Sequence, residues 1–144
     1  MTSADEILEA QRVTWSGLSA GWDKWDAIIV DQLRPVGAAM IERLGVADDQ
    51  QHLDIACGTG EPGLSIAKLA PAGRVVLTDL VPEILDIAAR RAASQGLANV
   101  ETTVCSADET HPACIAAPHP ATSALCTNAP GFATSPNGTS PSSS

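Results

Sequence analysis

The chain has 144 residues, enough for one domain, and 44% of them are hydrophobic. Its formal net charge of −9 disfavours binding to nucleic acid, because phosphate backbones are bound by clustered Lys and Arg. The acidic N-terminus lacks the basic and apolar regions of a signal peptide, and no apolar run approaches the roughly 20 residues of a membrane span. We therefore expect a cytoplasmic protein with neither a nucleic-acid partner nor a membrane span.

The cysteine pattern supports a reducing compartment. No CxxC pair and no familiar disulfide spacing occurs among the four cysteines, which are Cys57, Cys105, Cys114 and Cys126. Two of them lie near His111 and His119, which could suggest a metal site. The spacing is irregular and the surroundings are rich in Pro and Ala, so chance composition is the favoured interpretation and no metal site is predicted.

Residues 1–49 are predicted to form an N-terminal helical cap. Ser3 and Glu6 have the spacing of a capping box, so a first helix is expected to run from there to about residue 15. Gly17 and Gly21 are expected to interrupt it, and a second helix is predicted over residues 22–33. Pro35 suits the first turn of a third helix.

Gly45 suits the residue that follows the third helix. The apolar residues of the second and third helices recur at helical spacing and are expected to face the core. They are Ile28, Ile29 and Leu33 in the second helix and Val36, Ala39, Met40 and Leu44 in the third.

Residues 50–108 alternate strand, turn and helix. Strands are predicted over residues 51–56, 74–78 and 99–105, and helices over residues 62–70 and 82–95. The helix over residues 82–95 should carry Ile84, Leu85, Ala88, Ala89 and Ala92 on its apolar face, with Gly96 as its cap. Strands and helices alternating at this spacing indicate an α/β fold with a parallel sheet built from βαβ units.

The composition changes at about residue 109. Glu109 is the only charged residue from there to the C-terminus, and prolines recur at positions 112, 118, 120, 130, 136 and 141. Neither helical nor strand periodicity can be followed in this segment. We therefore predict that residues 109–144 form a disordered tail rich in Pro, Ser, Thr and Ala.

The turn after the first strand is the strongest functional signal. Residues 52–60 read as a short apolar strand that enters a glycine-rich turn, at which a backbone can approach a ligand closely. Gly58, Gly60 and Gly63 formally satisfy the dinucleotide fingerprint, with Asp79 about 20 residues further on. Asp54 argues against a dinucleotide, because a carboxylate in the strand suits a cationic, amine-bearing cofactor better than a diphosphate. A nicotinamide-dependent oxidoreductase is therefore the weakest alternative.

The residues around this turn resemble a known family. Leu53–Gly60, Leu-Asp-Ile-Ala-Cys-Gly-Thr-Gly, closely resembles the first motif of class I S-adenosylmethionine-dependent methyltransferases. Residues 74–83 resemble the second strand of that family with its terminal acid, and residues 99–108 its third strand and acidic turn. Gly-Trp-Asp-Lys-Trp at residues 21–25 is similar to the N-terminal helices of the ubiquinone/menaquinone C-methyltransferase-like branch. The resemblance covers about residues 12–108 and implies the first half of a Rossmann-like fold.

The resemblance also implies roles for individual residues around S-adenosylmethionine. Asp54 would lie near the methionine amine, Asp79 would accept hydrogen bonds from the ribose hydroxyls, and Asp108 would receive the adenine amino group. Backbone room and apolar or amide contacts would come from Ala56, Gly58, Gly60, Leu80 and Ala107. Two alternatives stay open: Asp79 could cap the following helix, and Asp108 could be a solvated turn residue.

No catalytic residue is predicted. Cys57 is interpreted as a small packing residue, since no His is placed as its base. His52 shares a strand face with Asp54 by period-two alternation and is interpreted as a core or surface histidine.

Two hypotheses about the whole chain follow. Family members continue with a fourth strand beside the first, and no such strand is recognised after Asp108. The chain is therefore expected to be a truncated S-adenosylmethionine-dependent methyltransferase for a small-molecule acceptor, with reduced or no activity. The alternative is a non-catalytic cofactor-binding or interaction module that completes its sheet with a partner. Either hypothesis leaves an apolar sheet edge that favours self-association.

Overall fold

The computed structural model describes residues 3–107, which form one long helix followed by a small α/β unit. The predicted tail at residues 109–144 and the predicted site residue Asp108 lie outside the described residues. The elements in chain order are α1 (Ala4–Leu44), β1 (Gln51–Ile55), α2 (Gly63–Leu69), β2 (Arg74–Asp79), α3 (Pro82–Ser94) and β3 (Val100–Val104).

Both ends of α1 have the predicted caps. The Ser3 hydroxyl accepts a hydrogen bond from the Glu6 backbone N–H at 3.2 Å, and the Glu6 carboxylate accepts one from the Ser3 backbone N–H at 2.7 Å. At the other end, Gly45 has a left-handed φ of 58° and its N–H donates to the Glu42 carbonyl. The capping box and the terminal glycine are therefore confirmed.

The prediction of three N-terminal helices is wrong, because α1 is one continuous helix of 41 residues that contains Pro35. A glycine inside a helix costs only about 1 kcal/mol relative to alanine, so Gly17 and Gly21 weaken the helix without ending it. Pro35 removes one backbone donor, and helical structure nevertheless continues on both sides of it.

The predicted core positions in the last part of α1 are also wrong. Val36, Met40 and Leu44 are 57%, 48% and 55% exposed. The half-buried positions lie on another stripe of the helix, which includes Gly37 and Ile41. The reason is that α1 contacts the α/β unit, mainly through α3, along one narrow stripe, and no residue of α1 is fully buried.

The sheet has three parallel strands in the order β1-β2-β3. Leu77 in the middle of β2 pairs with Asp54 on β1 and with Thr102 on β3. The carboxyl ends of all three strands therefore meet at one edge of the sheet, where parallel α/β folds bind their ligands. The predicted parallel α/β fold is confirmed.

The core lies between this sheet and its two short helices. Leu64 of α2, Leu77 of β2 and Leu85 of α3 are each 0% exposed. The residues predicted for the apolar face of α3 are buried as well, namely Ile84, Leu85, Ala88, Ala89 and Ala92. Partly buried Ile41, at the end of α1, packs against this core.

One edge of the sheet carries exposed apolar residues. Within residues 3–107, β1 pairs with β2 alone, and its Leu53 and Ile55 are 39% and 44% exposed. In the same part of the chain, no helix is both long enough and apolar enough to cross a membrane.

Candidate functional site

A cavity of about 740 Å³ lies between α1 and the carboxyl edge of the sheet. The sheet side is lined by Ala56, Gly58, Asp79, Leu80, Ile84, Cys105, Ser106 and Ala107. The α1 side is lined by Ala4, Asp5, Ile7, Leu8, Gln11, Trp15 and Trp22. The cavity thus has a floor made of strand ends and a largely apolar roof made of one helix.

The glycine-rich loop, residues 56–62 between β1 and α2, has unusual backbone angles beside the cavity. Ala56 and Gly58 both have a φ of 56°, which is an uncommon, strained value for alanine. A Cβ atom added at Gly58 would meet nothing within 4 Å, so the backbone there faces open space. A Cβ atom added at Gly60 would lie 2.8 Å from Leu64, so Gly60 is needed for packing and does not line the cavity.

Asp79 ends β2 and places its carboxylate at the cavity. One carboxylate oxygen accepts a hydrogen bond from the Gly58 N–H at 3.0 Å, and the other accepts one from the Val81 N–H at 3.1 Å. Val81 precedes α3, which begins without a side-chain cap, so Asp79 braces the turn before the helix and does not cap it. A carboxylate has about four acceptor positions, so two remain for a ligand.

Asp54 lies behind the glycine-rich loop and is absent from the cavity lining. Its carboxylate accepts a hydrogen bond from the Gly63 N–H at 2.9 Å. Burial raises the pKa of Asp54 to about 6; the Gly63 hydrogen bond opposes this rise, and the negative charges of Glu61 and Asp79 add to it. Three acidic side chains therefore act together around the loop, and their field favours a cationic ligand.

The structure brings most of the predicted site residues together. Five of the eight line the cavity, namely Ala56, Gly58, Asp79, Leu80 and Ala107. Asp54 and Gly60 support the loop from behind, and Asp108 lies outside the described residues. The strand order explains this result, because the ends of β1, β2 and β3 are neighbours.

Cys57 and His52 have the surroundings of structural residues. Cys57 is 4% exposed and belongs to the hydrophobic core, and burial raises the pKa of its thiol. A thiol with a raised pKa is a poor nucleophile. His52 is half-buried, and its Nε2 atom is buried without a hydrogen-bond partner among the described residues. Neither side chain lines the cavity.

The roof of the cavity was not predicted from the sequence. Trp15 and Trp22 pack with their ring centroids 6.3 Å apart, and the Trp15 indole N–H donates to the Gln11 side chain at 3.0 Å. The signal was present, because Ile7, Gln11, Trp15 and Trp22 recur at intervals of four, four and seven residues. Those intervals place them on one face of a continuous helix. The assumed break at Gly17 concealed the pattern.

Arg91 on α3 was also missed. Its guanidinium donates to the Thr59 carbonyl at 2.7 Å and lies 3.5 Å from the Glu61 carboxylate, both in the glycine-rich loop. It also lies 3.4 Å from the Asp26 carboxylate on α1. A lone arginine on a helix gives no sequence signal for contacts with residues 32 and 65 positions away.

Metal chemistry has no candidate site in residues 3–107, where no group of three or more His, Cys, Asp and Glu side chains is placed to hold an ion. The histidines and cysteines around residues 111–126 lie outside the described residues.

Comparison with known families identifies the fold and the class of domain. A family model described as a methyltransferase domain matches residues 53–128, just over half of the chain. The chain belongs to this methyltransferase family. The match begins in β1, includes every sheet residue that lines the cavity, and continues 20 residues beyond Asp108.

The curated relatives are longer proteins. The uncharacterized protein Rv1403c of Mycobacterium tuberculosis is 35% identical over 89 residues, which is 58% of this chain and 32% of that protein. The uncharacterized protein Rv1405c of the same organism is 37% identical over 65 residues, which is 45% of this chain and 23% of that protein. The matched region therefore spans about a third or less of these relatives.

Solved methyltransferase structures share the fold. A phosphoethanolamine N-methyltransferase from Haemonchus contortus superposes with a TM-score of 0.60 at 17% identity, covering 73% of this chain and 22% of the other. A DhpI–SAM–HEP complex superposes with a TM-score of 0.52 at 24% identity, covering 73% of this chain and 45% of the other.

Proposed function

We propose that the cavity binds S-adenosylmethionine and that the chain carries the cofactor-binding part of a methyltransferase acting on a small molecule. The observation that carries the proposal is the Asp79 carboxylate, fixed at the end of β2 and facing the cavity beside the open backbone of Gly58. Its two remaining acceptor positions suit a pair of ribose hydroxyls. Leu80 and Ile84 next to it offer an apolar surface for a purine.

The charges around the loop fit this cofactor better than a dinucleotide. S-adenosylmethionine carries a sulfonium and an ammonium group, whereas a dinucleotide carries a negatively charged pyrophosphate. Burial raises the pKa of Asp54, and the negative charges of Glu61 and Asp79 add to that rise. A ligand cation placed there would lower the pKa of Asp54 and be stabilised in return. A pyrophosphate would be repelled.

In this proposal the protein binds and orients, and the bound cofactor supplies the methyl group from its sulfonium sulfur. Asp79 and Leu80 hold the adenosine part, and the backbone of Ala107, in the cavity lining after β3, contacts the same part. The Ala56–Gly58 backbone gives room for the methionine part, with Asp54 behind it. Asp108, next to Ala107, is the proposed partner of the adenine amino group. Fixing the donor in this way supplies much of the rate, because methyl transfer needs an in-line approach of the acceptor.

We further propose that the chain by itself has reduced or no turnover. The described residues that line the cavity are assigned to the cofactor, and they include no His or Lys that could act as a general base. The Gly-Trp-Asp-Lys-Trp segment at residues 21–25 supports placement in the ubiquinone/menaquinone C-methyltransferase-like branch, and the cysteine usage supports a cytoplasmic location.

Isothermal titration of S-adenosylmethionine into the purified chain tests the proposal. We expect micromolar binding for the unchanged chain and binding at least about tenfold weaker for Asp79→Ala, since hydrogen bonds to a charged group contribute about 1.5–3 kcal/mol. Asp49→Ala is the matched control, because Asp49 is an exposed loop residue away from the cavity. Equal affinity of the two variants would contradict the assigned role of Asp79.

The same titration with NAD separates the oxidoreductase alternative. Binding of NAD in preference to S-adenosylmethionine would overturn the proposed cofactor.

The exposed Leu53 and Ile55 on β1 favour a second candidate function, a non-catalytic module that completes its sheet with a partner. A monodisperse monomer in light scattering would count against that function.

A further inference from the structure

Arg91, which does not line the cavity, contacts part of the glycine-rich loop. Its Nη1 atom donates to the Thr59 carbonyl at 2.7 Å and to the Thr59 hydroxyl at 3.3 Å. Its Nη2 atom lies 3.5 Å from the Glu61 carboxylate. The arginine side chain is only 21% exposed, so these contacts are shielded from bulk water. One guanidinium group therefore joins Thr59 and Glu61, in addition to the local hydrogen bonds that hold this part of the loop.

The same guanidinium contacts α1 one helical turn beyond the roof of the cavity. Nη1 lies 3.4 Å from the carboxylate of Asp26 on α1, whose side chain is 17% exposed. Asp26 is one helical turn beyond Trp22, which lines the cavity. The position of that part of the roof is thus linked to the group that holds the loop.

The roof has few other shielded attachments. No residue of α1 is fully buried, and the second ion pair between α1 and α3 joins Arg90 to Asp23 at 3.3 Å with side chains 62% and 56% exposed. An exposed pair of this kind contributes little, because water screens it. Among the described residues, the Arg91–Asp26 pair is the better shielded of the two charged links.

We propose that Arg91 is a positioning residue that couples the glycine-rich loop to α1, so that ligand binding on the loop and docking of the roof stabilise each other. A planar guanidinium can contact the loop and α1 at the same time, because it presents several donors in a fixed geometry and stays charged. Its use for ligand binding rests on the proposed function. The coupling between loop and roof is a property of the chain and holds without ligand.

Hydrogen exchange on the ligand-free protein tests the coupling directly. Asp26→Asn weakens only the contact with α1, 65 positions away from Arg91. If Arg91 couples the two regions, this variant speeds up exchange of the Gly58 and Gly60 amides, which are hydrogen-bonded within the site. Asp23→Asn is the matched control, because Asp23 forms the other ion pair between α1 and α3, with Arg90, and that pair does not involve Arg91. Equal exchange of these amides in both variants would overturn the coupling.

Titration with S-adenosylhomocysteine tests the effect on binding. Arg91→Met is expected to weaken binding by about 10-fold to 100-fold, from the typical contribution of charged hydrogen bonds, and Arg90→Met by about twofold or less. Arg91→Lys keeps the charge without the fork and should recover part of the loss. The fluorescence of the three tryptophans, all on α1, reports the roof in the same titration.

The outcomes separate the two proposals. Absence of binding by the unchanged chain would overturn the proposed function, while the exchange experiment would still decide the coupling. Binding by Arg91→Met as tight as that of Arg90→Met would overturn the role of Arg91. Additive losses in Asp26→Asn, Arg91→Met and their combination would do the same, because coupled groups give non-additive effects.

Discussion

Asp54 is a half-buried acid that links two elements of the fold. Its carboxylate accepts the Gly63 N–H at 2.9 Å and thereby connects β1 to the start of α2. A Cβ atom added at Gly63 would lie 2.8 Å from the same carboxylate oxygen, so the helix and the acid approach as closely as a glycine allows. The contact is favourable, yet burial still raises the pKa of Asp54 to about 6. Ionising Asp54 therefore costs more free energy in the ligand-free folded protein than in the unfolded chain.

This cost predicts the pH dependence of stability. The pKa of Asp54 is about 6 in the folded protein and near 3.8 in the unfolded chain. Between those values the folded state binds the proton more readily, so the free energy of unfolding rises as the pH falls from about 7 to about 4. Asp54→Asn should be more stable than the unchanged chain at pH 7 and should lack this rise. Thermal unfolding at several pH values measures how the free energy of unfolding changes with pH. If this pH dependence were the same in Asp54→Asn as in the unchanged chain but altered in Asp49→Asn, Asp54 would not be its source.

At the residue scale, the sequence predicted the residues whose role depends on local order and missed those whose role depends on distant contacts. Gly58 follows directly from a strand-to-turn pattern, and Asp79 ends the next strand, so both were found. Arg91 contacts Thr59 and Asp26 only because α1, the loop and α3 meet in space. No pattern within α3 encodes that meeting.

Among the elements, α1 departs most from the sequence-based expectation. Gly17, Gly21 and Pro35 suggested helix breaks, but a glycine or proline costs only about 1–3 kcal/mol in a helix interior. The cap at Ser3 and the 41-residue run of backbone hydrogen bonds offset those costs. The shorter elements were predicted to within two residues at each end, because their Pro and Gly residues coincide with real ends.

The pairing of β2 with β3 includes a feature that the strand pattern did not reveal. The Arg74 guanidinium forms a bidentate ion pair with the Glu101 carboxylate, and the two side chains are only 14% and 11% exposed. Removing one partner leaves an uncompensated buried charge, which costs about 3–5 kcal/mol.

We therefore predict that Glu101→Gln lowers the free energy of unfolding by an amount near the lower end of that range. Replacing both residues, Arg74→Met with Glu101→Leu, should recover much of the loss, because no buried charge then remains. Urea denaturation measures both effects. The exposed pair of Arg34 and Asp31 on α1 is the control, since Asp31→Asn should change stability by less than about 1 kcal/mol. A double variant no more stable than Glu101→Gln would contradict this account.

For the whole molecule, the sequence predicted the parallel sheet but did not predict which residues of α1 are exposed. Strands and helices in alternation dictated a parallel sheet, and the shared carboxyl edge then brought five predicted site residues to one cavity. Burial of α1 could not be inferred in the same way. Its apolar residues lie on several faces, and only one stripe of α1 contacts the α/β unit, mainly through α3, so Val36, Met40 and Leu44 are exposed.

The exposed edge at β1 leads to a prediction about assembly. Within residues 3–107, β1 has a hydrogen-bonded neighbour on one side, and it carries Leu53 and Ile55 at 39% and 44% exposure. A free strand edge with apolar side chains tends to pair with another chain. We expect the protein to self-associate in sedimentation velocity experiments at micromolar concentration, and the double variant Leu53→Lys with Ile55→Lys to shift it towards monomer.

The control for that prediction is Leu69→Lys. Leu69 is 52% exposed, more than either β1 residue, but it is the last residue of helix α2 and belongs to no strand. If association depends on the strand edge, Leu69→Lys leaves the sedimentation profile unchanged, because general apolar exposure is not what joins the chains. Equal loss of association in both variants would instead point to non-specific contacts. A monomeric profile of the unchanged chain would show that the β1 edge pairs with no second copy.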